Sequence, residues 1–282
     1  MLKAKILEFG DELSLPCKHM NLYFQNRRWD VECLALKGRS ASDMNTWLPY
    51  MEEGALAVRF KTEESQEIIA QFPHLPTDVR WLETADVLMR EADGWWPRLL
   101  VYETLRKLVI QRFSSLNIGL QCYVIGATRL GRAAVAAMAS LGFSNISIID
   151  EDEVLLAREV KNLSRYLLGI NIQAVPAGTL TIQTKSGSLM VNTLRLQDES
   201  VVLKDLSYFN FMSQGGVVVD ISECCHRNLL LEEAERADLQ VLTGLEVQAQ
   251  VDVNLLTKLF PDLYVTFDDY FESFSDHLES IK

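Results

Sequence analysis

The stretch from Gln121 to Asp152 constrains the fold more than any other part of the chain. It contains a short apolar run that ends at Ile125, a glycine turn, an alanine-rich segment, and a second apolar run that ends at Asp150. Alanine has the highest helix propensity, and short apolar runs are typical of buried strands. The order strand, glycine turn, helix, strand and acid is that of a dinucleotide-binding βαβ unit. It predicts an α/β fold with a Rossmann-type, doubly wound parallel sheet.

The glycine turn predicts a nucleotide site with one unusual position. In a GxGxxG turn the first glycine permits the tight turn, the second lets the backbone approach the pyrophosphate, and the third lets the helix pack on the strand. Gly126 and Gly131 hold the first and third places, whereas Thr128 holds the second. The Thr128 side chain crowds the place of the phosphate oxygens, although its hydroxyl could donate a hydrogen bond. Arg129 could pair with phosphate instead.

The acid that ends the second strand bears on the choice of cofactor. Asp150 lies where a carboxylate would accept the ribose hydroxyls of NAD. It begins a run of four acids that ends at Glu153, and these would repel the 2′-phosphate of NADP. The residues therefore favour NAD over NADP. A Rossmann domain that holds no nucleotide is the alternative that they leave open.

Composition disfavours several kinds of partner and site. The net charge of −12 argues against nucleic acid and anionic membranes, which need a basic footprint, and no apolar run reaches membrane-spanning length. Five cysteines at scattered spacings give neither a disulfide framework nor a CxxC pair, so no metal site is predicted. The N-terminal stretch lacks the apolar core and cleavage site of a signal peptide. We therefore expect a cytoplasmic protein that binds a small molecule or a protein partner.

Periodicity divides the chain into three segments. Residues 1–104 are predicted to form an N-terminal α/β domain, residues 105–243 a Rossmann domain, and residues 244–282 C-terminal helices that return to the N-terminal domain. Within the first segment, residues 80–89 and 98–102 read as strands, and a helix over residues 42–51 is predicted to begin with Ser42 as its N-cap. The aromatic residues after Asp262 predict a further helix docked on the body of the protein.

Several motifs resemble those of the shikimate dehydrogenase family over most of the chain. The glycine turn is similar to the family's GAGGxGRA turn, residues 189–193 to its lvINAT strand, and residues 241–246 to its vidGlemL segment. In the N-terminal half, residues 13–16 resemble the SlSP motif and residues 58–61 the VPfK motif. The resemblance implies a smaller N-terminal substrate domain joined to a Rossmann domain. It places Lys61 on the family's catalytic lysine and Asn192 among the cofactor-binding residues.

The polar residues that the family uses to hold its substrate are mostly replaced. The resemblance puts Leu13 and Leu15 where two serines hold the substrate carboxylate, and Leu105 where the catalytic aspartate lies. It implies that the substrate cleft is lined instead by Glu83, Glu103, Gln248 and Gln250. The two glutamates would repel a carboxylate substrate and raise the pKa of a nearby lysine. Each shikimate hydroxyl left unpaired against buried apolar side chains would cost about 1–3 kcal/mol.

These departures predict a shikimate-dehydrogenase-like protein that has lost shikimate oxidation and serves as a pseudoenzyme that binds a small ligand or a partner. The alternative is an active NAD-dependent oxidoreductase on another substrate, with an amine that would suit the two glutamates. A third hypothesis is an adenylating enzyme of the E1 or ThiF kind, because Asp150 and Asp152, followed by Asn162 and Arg165, resemble part of its ATP-binding motif. Residues 224–226, Cys-Cys-His, could offer a reactive thiolate or be an ordinary extended segment.

Overall fold

The chain builds two sheets, one in each of two compact units. The computed structural model describes residues 3–38, 41–44, 48, 54–222 and 229–280. The first unit combines residues 1–101 with residues 249–282, and the second consists of residues 102–248. Both boundaries fall within helices, so that Leu100–Arg112 (α4) and Gly244–Leu259 (α9) each carry the chain from one unit to the other.

A five-stranded mixed sheet with the order β2-β1-β3-β4-β5 organises the first unit. Its strands are Ala4–Phe9 (β1), Val31–Leu36 (β2), Ala55–Arg59 (β3), Val87–Glu91 (β4) and Gly94–Arg98 (β5). β1 is parallel to β2 and β3, whereas β4 is antiparallel to β3 and β5. Gly94 takes a φ of +134°, which a glycine adopts readily, and a tight turn joins β4 and β5 as a hairpin.

The helices of the first unit are Leu15–Arg27 (α1), Ser65–Ile69 (α2), Thr77–Leu82 (α3) and Phe267–Ser280 (α10). Ser14 is the N-cap of α1, and its side chain accepts a hydrogen bond from the Cys17 amide, which satisfies one of the free N–H groups of the first turn. Short 3₁₀ helices cover Ala41–Asp43 and Thr62–Glu64. Ser42 therefore lies inside a 3₁₀ turn, and most of the helix predicted after it lies outside the described residues.

Two strands predicted in the first unit are wrong. Residues 80–89 begin in α3, which Pro76 introduces, and only their last part belongs to β4. Residues 98–102 end β5 and start α4. The Asp86 carboxylate accepts hydrogen bonds from the amides of Leu100 and Val101, at 2.8 and 2.7 Å, and so caps α4. A cap supplied by a residue so far away in the sequence leaves no local signal, so β-propensity was misleading here.

Aromatic side chains pack α10 on α1, as predicted for the tail. His19 stacks on Phe274 with ring centroids 4.4 Å apart and planes at 3°. Tyr270 meets the same imidazole edge-on at 4.9 Å. Tyr23 donates a hydrogen bond to the Asp269 carboxylate. These contacts bury Tyr270, Phe274 and Leu278 along one face of α10.

Acid is expected to weaken this packing. His19 is fully buried, and neither of its ring nitrogens has a hydrogen-bond partner in the described part of the chain. Burial and the nearby His277 lower the pKa of His19 from 6.5 to about 4. The unfolded chain therefore takes up this proton at a higher pH than the folded chain. Stability should be complete above pH 6.5 and fall as the pH drops towards 4, by roughly 3 kcal/mol in all. Urea unfolding at a series of pH values measures the loss.

A variant that lacks the His19 imidazole separates this titration from general acid unfolding. His19→Phe keeps an aromatic ring against Phe274 and removes the ionisable group, so the stability of this variant should depend less on pH between 6.5 and 4. His74 is exposed, and His74→Gln should leave the pH dependence of the parent unchanged. Equal slopes for the parent and His19→Phe would contradict the assignment.

A six-stranded parallel sheet with the order β11-β10-β9-β6-β7-β8 organises the second unit. Its strands are Gln121–Ile125 (β6), Asn145–Asp150 (β7), Asn171–Pro176 (β8), Gly187–Asn192 (β9), Met212–Asp220 (β10) and Gln240–Leu242 (β11). Its further helices are Arg129–Ser140 (α5), Glu153–Tyr166 (α6), Val201–Lys204 (α7) and Leu229–Arg236 (α8). The predicted Rossmann-type sheet is confirmed.

The core of the second unit forms around two central strands that are buried along their whole length. All five residues of β6 and all six of β9 are buried, as expected for parallel strands covered on both faces. The sequence analysis did not predict α7 or the 3₁₀ helices Ala177–Ile182 and Leu206–Phe211, which cover part of this core through Leu180 and Phe209. No helix among the described residues is long and apolar enough to cross a membrane.

Candidate functional site

The candidate nucleotide site lies at one edge of the second unit's sheet, where four neighbouring strands end. β6 ends at Ile125, β7 at Asp150, β9 at Asn192 and β10 at Asp220. The chain leaves β6 for β7 on one side and later returns to β9 on the other, which makes the end of β6 a switch point of the topology. In open α/β sheets, ligands bind outside the carboxyl ends of the strands at such a point.

The glycine turn after β6 has the tight geometry that its two glycines predict. Gly126 takes a φ of +112°, and a Cβ there would lie 2.3 Å from the Thr193 hydroxyl oxygen. A Cβ on Gly131 would lie 2.0 Å from the Gly126 carbonyl oxygen. Only glycine fits at either place, because real Cβ contacts are not this short. The turn therefore has the close strand-to-helix approach of a nucleotide-binding loop, while a bound nucleotide remains a prediction.

Thr128 serves as the N-cap of α5. Its hydroxyl accepts a hydrogen bond from the Gly131 amide at 3.1 Å and lies 3.5 Å from the Thr193 hydroxyl. Thr193 in turn donates to the Ile125 carbonyl at 2.8 Å. Arg129 is the first residue of α5 and is half-buried. The loop is thus tied to the end of β9, a link that the sequence analysis missed although Thr193 stood in the motif that it quoted.

Asp150 braces the glycine turn. One carboxylate oxygen accepts a hydrogen bond from the Ala127 amide at 2.7 Å, and the other accepts one from the Asp152 amide at 3.0 Å. The side chain is buried at the end of β7. The structure therefore gives Asp150 a role in holding the loop. Its contact with ribose stays a prediction.

The acidic run after β7 caps two helices. Glu151 accepts a hydrogen bond, at 2.8 Å, from the amide of Val201, the first residue of α7. Asp152 is the N-cap of α6 and accepts hydrogen bonds from the amides of Val154 and Leu155, each at 2.9 Å. Carboxylates at helix N-termini are favourable because the helix dipole is positive there. The charge predicted to disfavour a 2′-phosphate therefore also has a structural use.

Asn192 belongs to a buried polar network that joins the ends of β9 and β10. Its amide donates to the Leu194 carbonyl at 2.9 Å, to the Asp220 carboxylate at 3.2 Å and to the Ser222 hydroxyl at 3.4 Å. The Ser222 amide and hydroxyl donate to Asp220 at 2.9 and 2.6 Å. The Asn192 side chain is fully buried. Its part in cofactor binding stays a prediction. The sequence analysis did not identify Asp220 or Ser222.

The residues predicted for the substrate cleft are divided between the two units. In the first unit, Lys61 and Glu83 are exposed, and Gln250 is buried with its amide donating to Asn254 at 3.0 Å. Glu83 has a φ of +49°, a left-handed conformation that ends α3. Two further residues, Glu103 on α4 and Gln248 on α9, are half-buried in the second unit. Their joint role in one site stays a prediction.

A glutamate occupies the N-terminus of α1 in the first unit. The Glu8 carboxylate on β1 accepts hydrogen bonds from the Ser14 amide at 2.7 Å and from the Ser14 hydroxyl at 2.6 Å. Leu13 and Leu15 flank this serine, and both are half-buried. The protein's own Glu8 carboxylate therefore occupies hydrogen-bond donors at the helix terminus that could otherwise bind an anion.

A buried ion pair lies next to this position. Arg59 is the register partner of Glu8 on the neighbouring strand. Its guanidinium nitrogen is 3.0 Å from the carboxylate of Asp252, a residue of α9 that is fully buried. Tyr270 donates to the same carboxylate at 2.9 Å. Burial, followed by the charge and hydrogen bond of Asp252, raises the pKa of Tyr270 well above its ordinary value, so the hydroxyl stays protonated.

The described residues offer neither a metal site of His, Cys, Asp and Glu ligands nor the predicted thiolate. No group of three or more His, Cys, Asp or Glu side chains among the described residues could hold a metal ion. The predicted candidate Cys224-Cys225-His226 lies outside the described residues.

The sheet, the glycine turn and the buried strand ends define a class of α/β protein with a Rossmann-type unit of parallel sheet and a second unit of mixed sheet. No protein-family model matches the sequence, and no curated protein does. Several solved structures do match almost the whole chain.

The similar structures are dehydrogenases of the shikimate and quinate type. Quinate dehydrogenase from Corynebacterium glutamicum, in complex with NAD, has a TM-score of 0.78 and 13% identity over 97% of this chain and 98% of its own. Shikimate 5-dehydrogenase from Thermus thermophilus, in complex with NADP(H) and shikimate, has a TM-score of 0.74 and 14% identity over 97% and 99%. Shikimate dehydrogenase from Mycobacterium tuberculosis has a TM-score of 0.72 and 14% identity over 97% and 99%. The chain has the shikimate dehydrogenase fold, and the predicted resemblance is confirmed at that level.

Proposed function

We propose that this protein is a binding protein on the shikimate dehydrogenase fold that no longer oxidises shikimate. The observation that carries the proposal is the Glu8 carboxylate, which accepts hydrogen bonds from the amide and the hydroxyl of Ser14 at the N-terminus of α1. The resemblance to the family implies that the substrate carboxylate is held by serines at the positions of Leu13 and Leu15. The carboxylate that accepts hydrogen bonds from Ser14 is supplied by the protein itself.

Electrostatics support the loss of carboxylate binding. A second carboxylate about 4 Å from Glu8 would meet a repulsion of about 1–4 kcal/mol at effective dielectric constants between those of water and a protein surface. The side chains of Leu13 and Leu15 offer no donors to offset it. Arg59 lies next to Glu8, but its guanidinium is paired with Asp252 inside the unit. The site therefore favours neutral or cationic ligands.

The groups needed for proton transfer support the same proposal. Oxidation of a secondary alcohol requires a positioned proton acceptor. The resemblance puts the catalytic aspartate at Leu105, which is fully buried and cannot accept a proton. Lys61, at the position of the catalytic lysine, is an exposed side chain at the end of the β3 segment. Of the lysine and aspartate that would perform the family reaction, only the lysine is kept, as Lys61.

Shikimate should neither react with the protein nor stabilise it. We expect no reduced nicotinamide from shikimate with NAD or NADP, and an unchanged melting temperature when shikimate is added. The variant Glu8→Gln with Leu13→Ser and Leu15→Ser should instead gain a melting shift, because a ligand at a hundredfold excess over its Kd stabilises the native state by about 2.7 kcal/mol.

A matched variant tests the role of the hydroxyls. Glu8→Gln with Leu13→Ala and Leu15→Ala makes the same cavity without adding donors, and it should show no shift with shikimate. Turnover of shikimate by the parent protein would refute the proposal. A shikimate-induced shift in the parent would show that Glu8 does not exclude the carboxylate.

A second candidate function is an NAD-dependent oxidoreductase that acts on a different, amine-bearing substrate. The observation in its favour is the glycine turn, whose two glycines keep the close approach that a dinucleotide-binding loop needs. A melting shift with NAD or NADH, larger than that with NADP, would support it and would justify a screen of amine substrates. The adenylating-enzyme hypothesis has no comparable observation in its favour and stays a prediction.

A further inference from the structure

We propose that the first unit contains a binding site for the cuprous ion, formed by the thiols of Cys17 and Cys33 and the thioether of Met20. The three side chains belong to α1 and β2 and are almost fully buried, at 0, 1 and 0% exposure. Thiolates and thioethers are soft ligands that select Cu(I) among the common metal ions. A thioether is not among the ligand types of the metal groups considered above, so this cluster is a separate case.

The spacing of the sulfur atoms suits a three-coordinate ion. Cys17 and Met20 are three residues apart on α1 and so lie on one face of the helix. The Cys33 sulfur is 3.7 Å from the Met20 sulfur and shares a hydrogen bond with the Cys17 thiol. A metal bound at about 2.3 Å by three sulfurs in a plane would hold them about 4.0 Å apart. The sulfurs of Cys33 and Met20, 3.7 Å apart, are within a few tenths of an ångström of that spacing.

The surroundings favour a cuprous ion over zinc. Zinc sites with sulfur ligands are four-coordinate. The carboxylate of Asp252 is not free to act as a fourth ligand. It is already paired with Arg59 and accepts a hydrogen bond from Tyr270. Cu(I) is satisfied by the three sulfurs alone.

Protons and electrons balance when the ion binds. Cu(I) displaces one proton from each thiol and remains Cu(I), so no oxidant or reductant is consumed. The product, a cuprous ion with two thiolates and one thioether, carries a charge of −1. An Arg59 guanidinium nitrogen lies 3.6 Å from the sulfurs of both Cys17 and Met20, so this complex would share the Arg59 charge with Asp252.

Proton release gives the site a signature. An ordinary cysteine thiol is protonated at neutral pH, whereas a metal ion binds the thiolate. Metal binding to protonated thiols releases protons and becomes tighter as the pH rises. A core that merely packs sulfur atoms would show neither effect.

The test is a competition for Cu(I) with bicinchoninate, followed by the absorbance of its copper complex. Cys224→Ser and Cys225→Ser are made first, because two adjacent thiols could bind the ion themselves. In this background we expect about one Cu(I) per chain with release of about two protons. X-ray absorption should show three sulfur ligands at about 2.3 Å.

Single substitutions assign the ligands. Cys17→Ala or Cys33→Ala should abolish transfer of Cu(I) to the protein, whereas Cys122→Ala, a buried cysteine of the second unit, should not change it. Met20→Leu keeps the volume of the side chain. It should weaken binding at least tenfold, since even partners outside the ligand shell are worth about 10–100-fold in metal affinity.

Several outcomes would overturn the proposal. These are a folded parent that takes up no Cu(I), uptake that survives in the double variant Cys17→Ala and Cys33→Ala, or nitrogen and oxygen ligands in the absorption spectrum. Circular dichroism checks that each variant folds. If a cysteine variant does not fold, Met20→Leu decides, because an unchanged affinity and an unchanged sulfur count would exclude the thioether site.

Discussion

Replacing Gly131 with alanine is expected to lower the free energy of unfolding of the second unit by about 3 kcal/mol or more. A Cβ at this position would lie 2.0 Å from the carbonyl oxygen of Gly126, and neither backbone can move without disturbing the start of α5. In an unconstrained helix the same change would stabilise the protein by about 1 kcal/mol, because alanine is the better helix former. The close approach of Gly131 to Gly126 therefore makes the substitution destabilising. Urea unfolding followed by circular dichroism measures it.

Gly178→Ala is the matched control for this prediction. A Cβ on Gly178 would have no neighbour within 4 Å, and its backbone does not have a positive φ. We expect a change within about 0.5 kcal/mol of zero. If Gly131→Ala were as stable as Gly178→Ala, the helix could not approach the turn as closely as described, and the nucleotide-loop interpretation would lose its main support.

Replacing Asp252 with asparagine is expected to destabilise the first unit by about 3–5 kcal/mol. Asp252 is fully buried, and the change would leave the Arg59 guanidinium without its counter-charge while only 13% of that side chain is exposed. The cost of burying an unpaired charge is larger than the net contribution of an intact pair. The Tyr270 hydroxyl would also lose its charged acceptor. Chemical denaturation of the parent and variant at one pH measures the difference.

Two further variants separate the lost pair from other effects. The exposed pair of Lys3 and Glu32, with nitrogen and oxygen 2.9 Å apart, is the control, and Glu32→Gln should cost less than about 1 kcal/mol. The double variant Arg59→Met with Asp252→Leu should recover most of the stability lost in Asp252→Asn, since apolar residues can replace a buried pair. A double variant as unstable as Asp252→Asn would show that the shape of the site, rather than the unpaired charge, causes the loss.

The second unit was predictable from sequence because its signals are local. Its central strands contain apolar runs, and Gly126 and Gly131 mark a turn whose geometry only glycine permits. The resemblance placed a strand at residues 189–193, and β9 covers Gly187–Asn192. The hydrogen bonds that Asp150 makes to the loop were not predictable, since a carboxylate at a strand end can face either a ligand or the backbone.

The features that the sequence did not reveal depend on residues far apart in the chain. Asp86 caps a helix that begins 14 positions later, and Arg59 pairs with Asp252 from the far end of the chain. Glu8 and Ser14 are only six positions apart, but no periodicity links a strand residue to the start of the next helix. No local pattern carries such pairings. The resemblance to the shikimate dehydrogenase family indicated which serines were missing. It did not indicate that the Glu8 carboxylate accepts hydrogen bonds from Ser14.

The division of the chain into units bears on the order in which this protein folds as it is made. The second unit is continuous from residue 102 to residue 248, so all of its strands leave the ribosome before the residues that complete the first unit. The first unit must wait for residues 249–282, which bring the counter-charge of Arg59 and the aromatic cover of His19. Domains generally fold as units during synthesis. The nascent N-terminal sheet is therefore exposed for the longest time, while the middle of the chain folds before both of its ends.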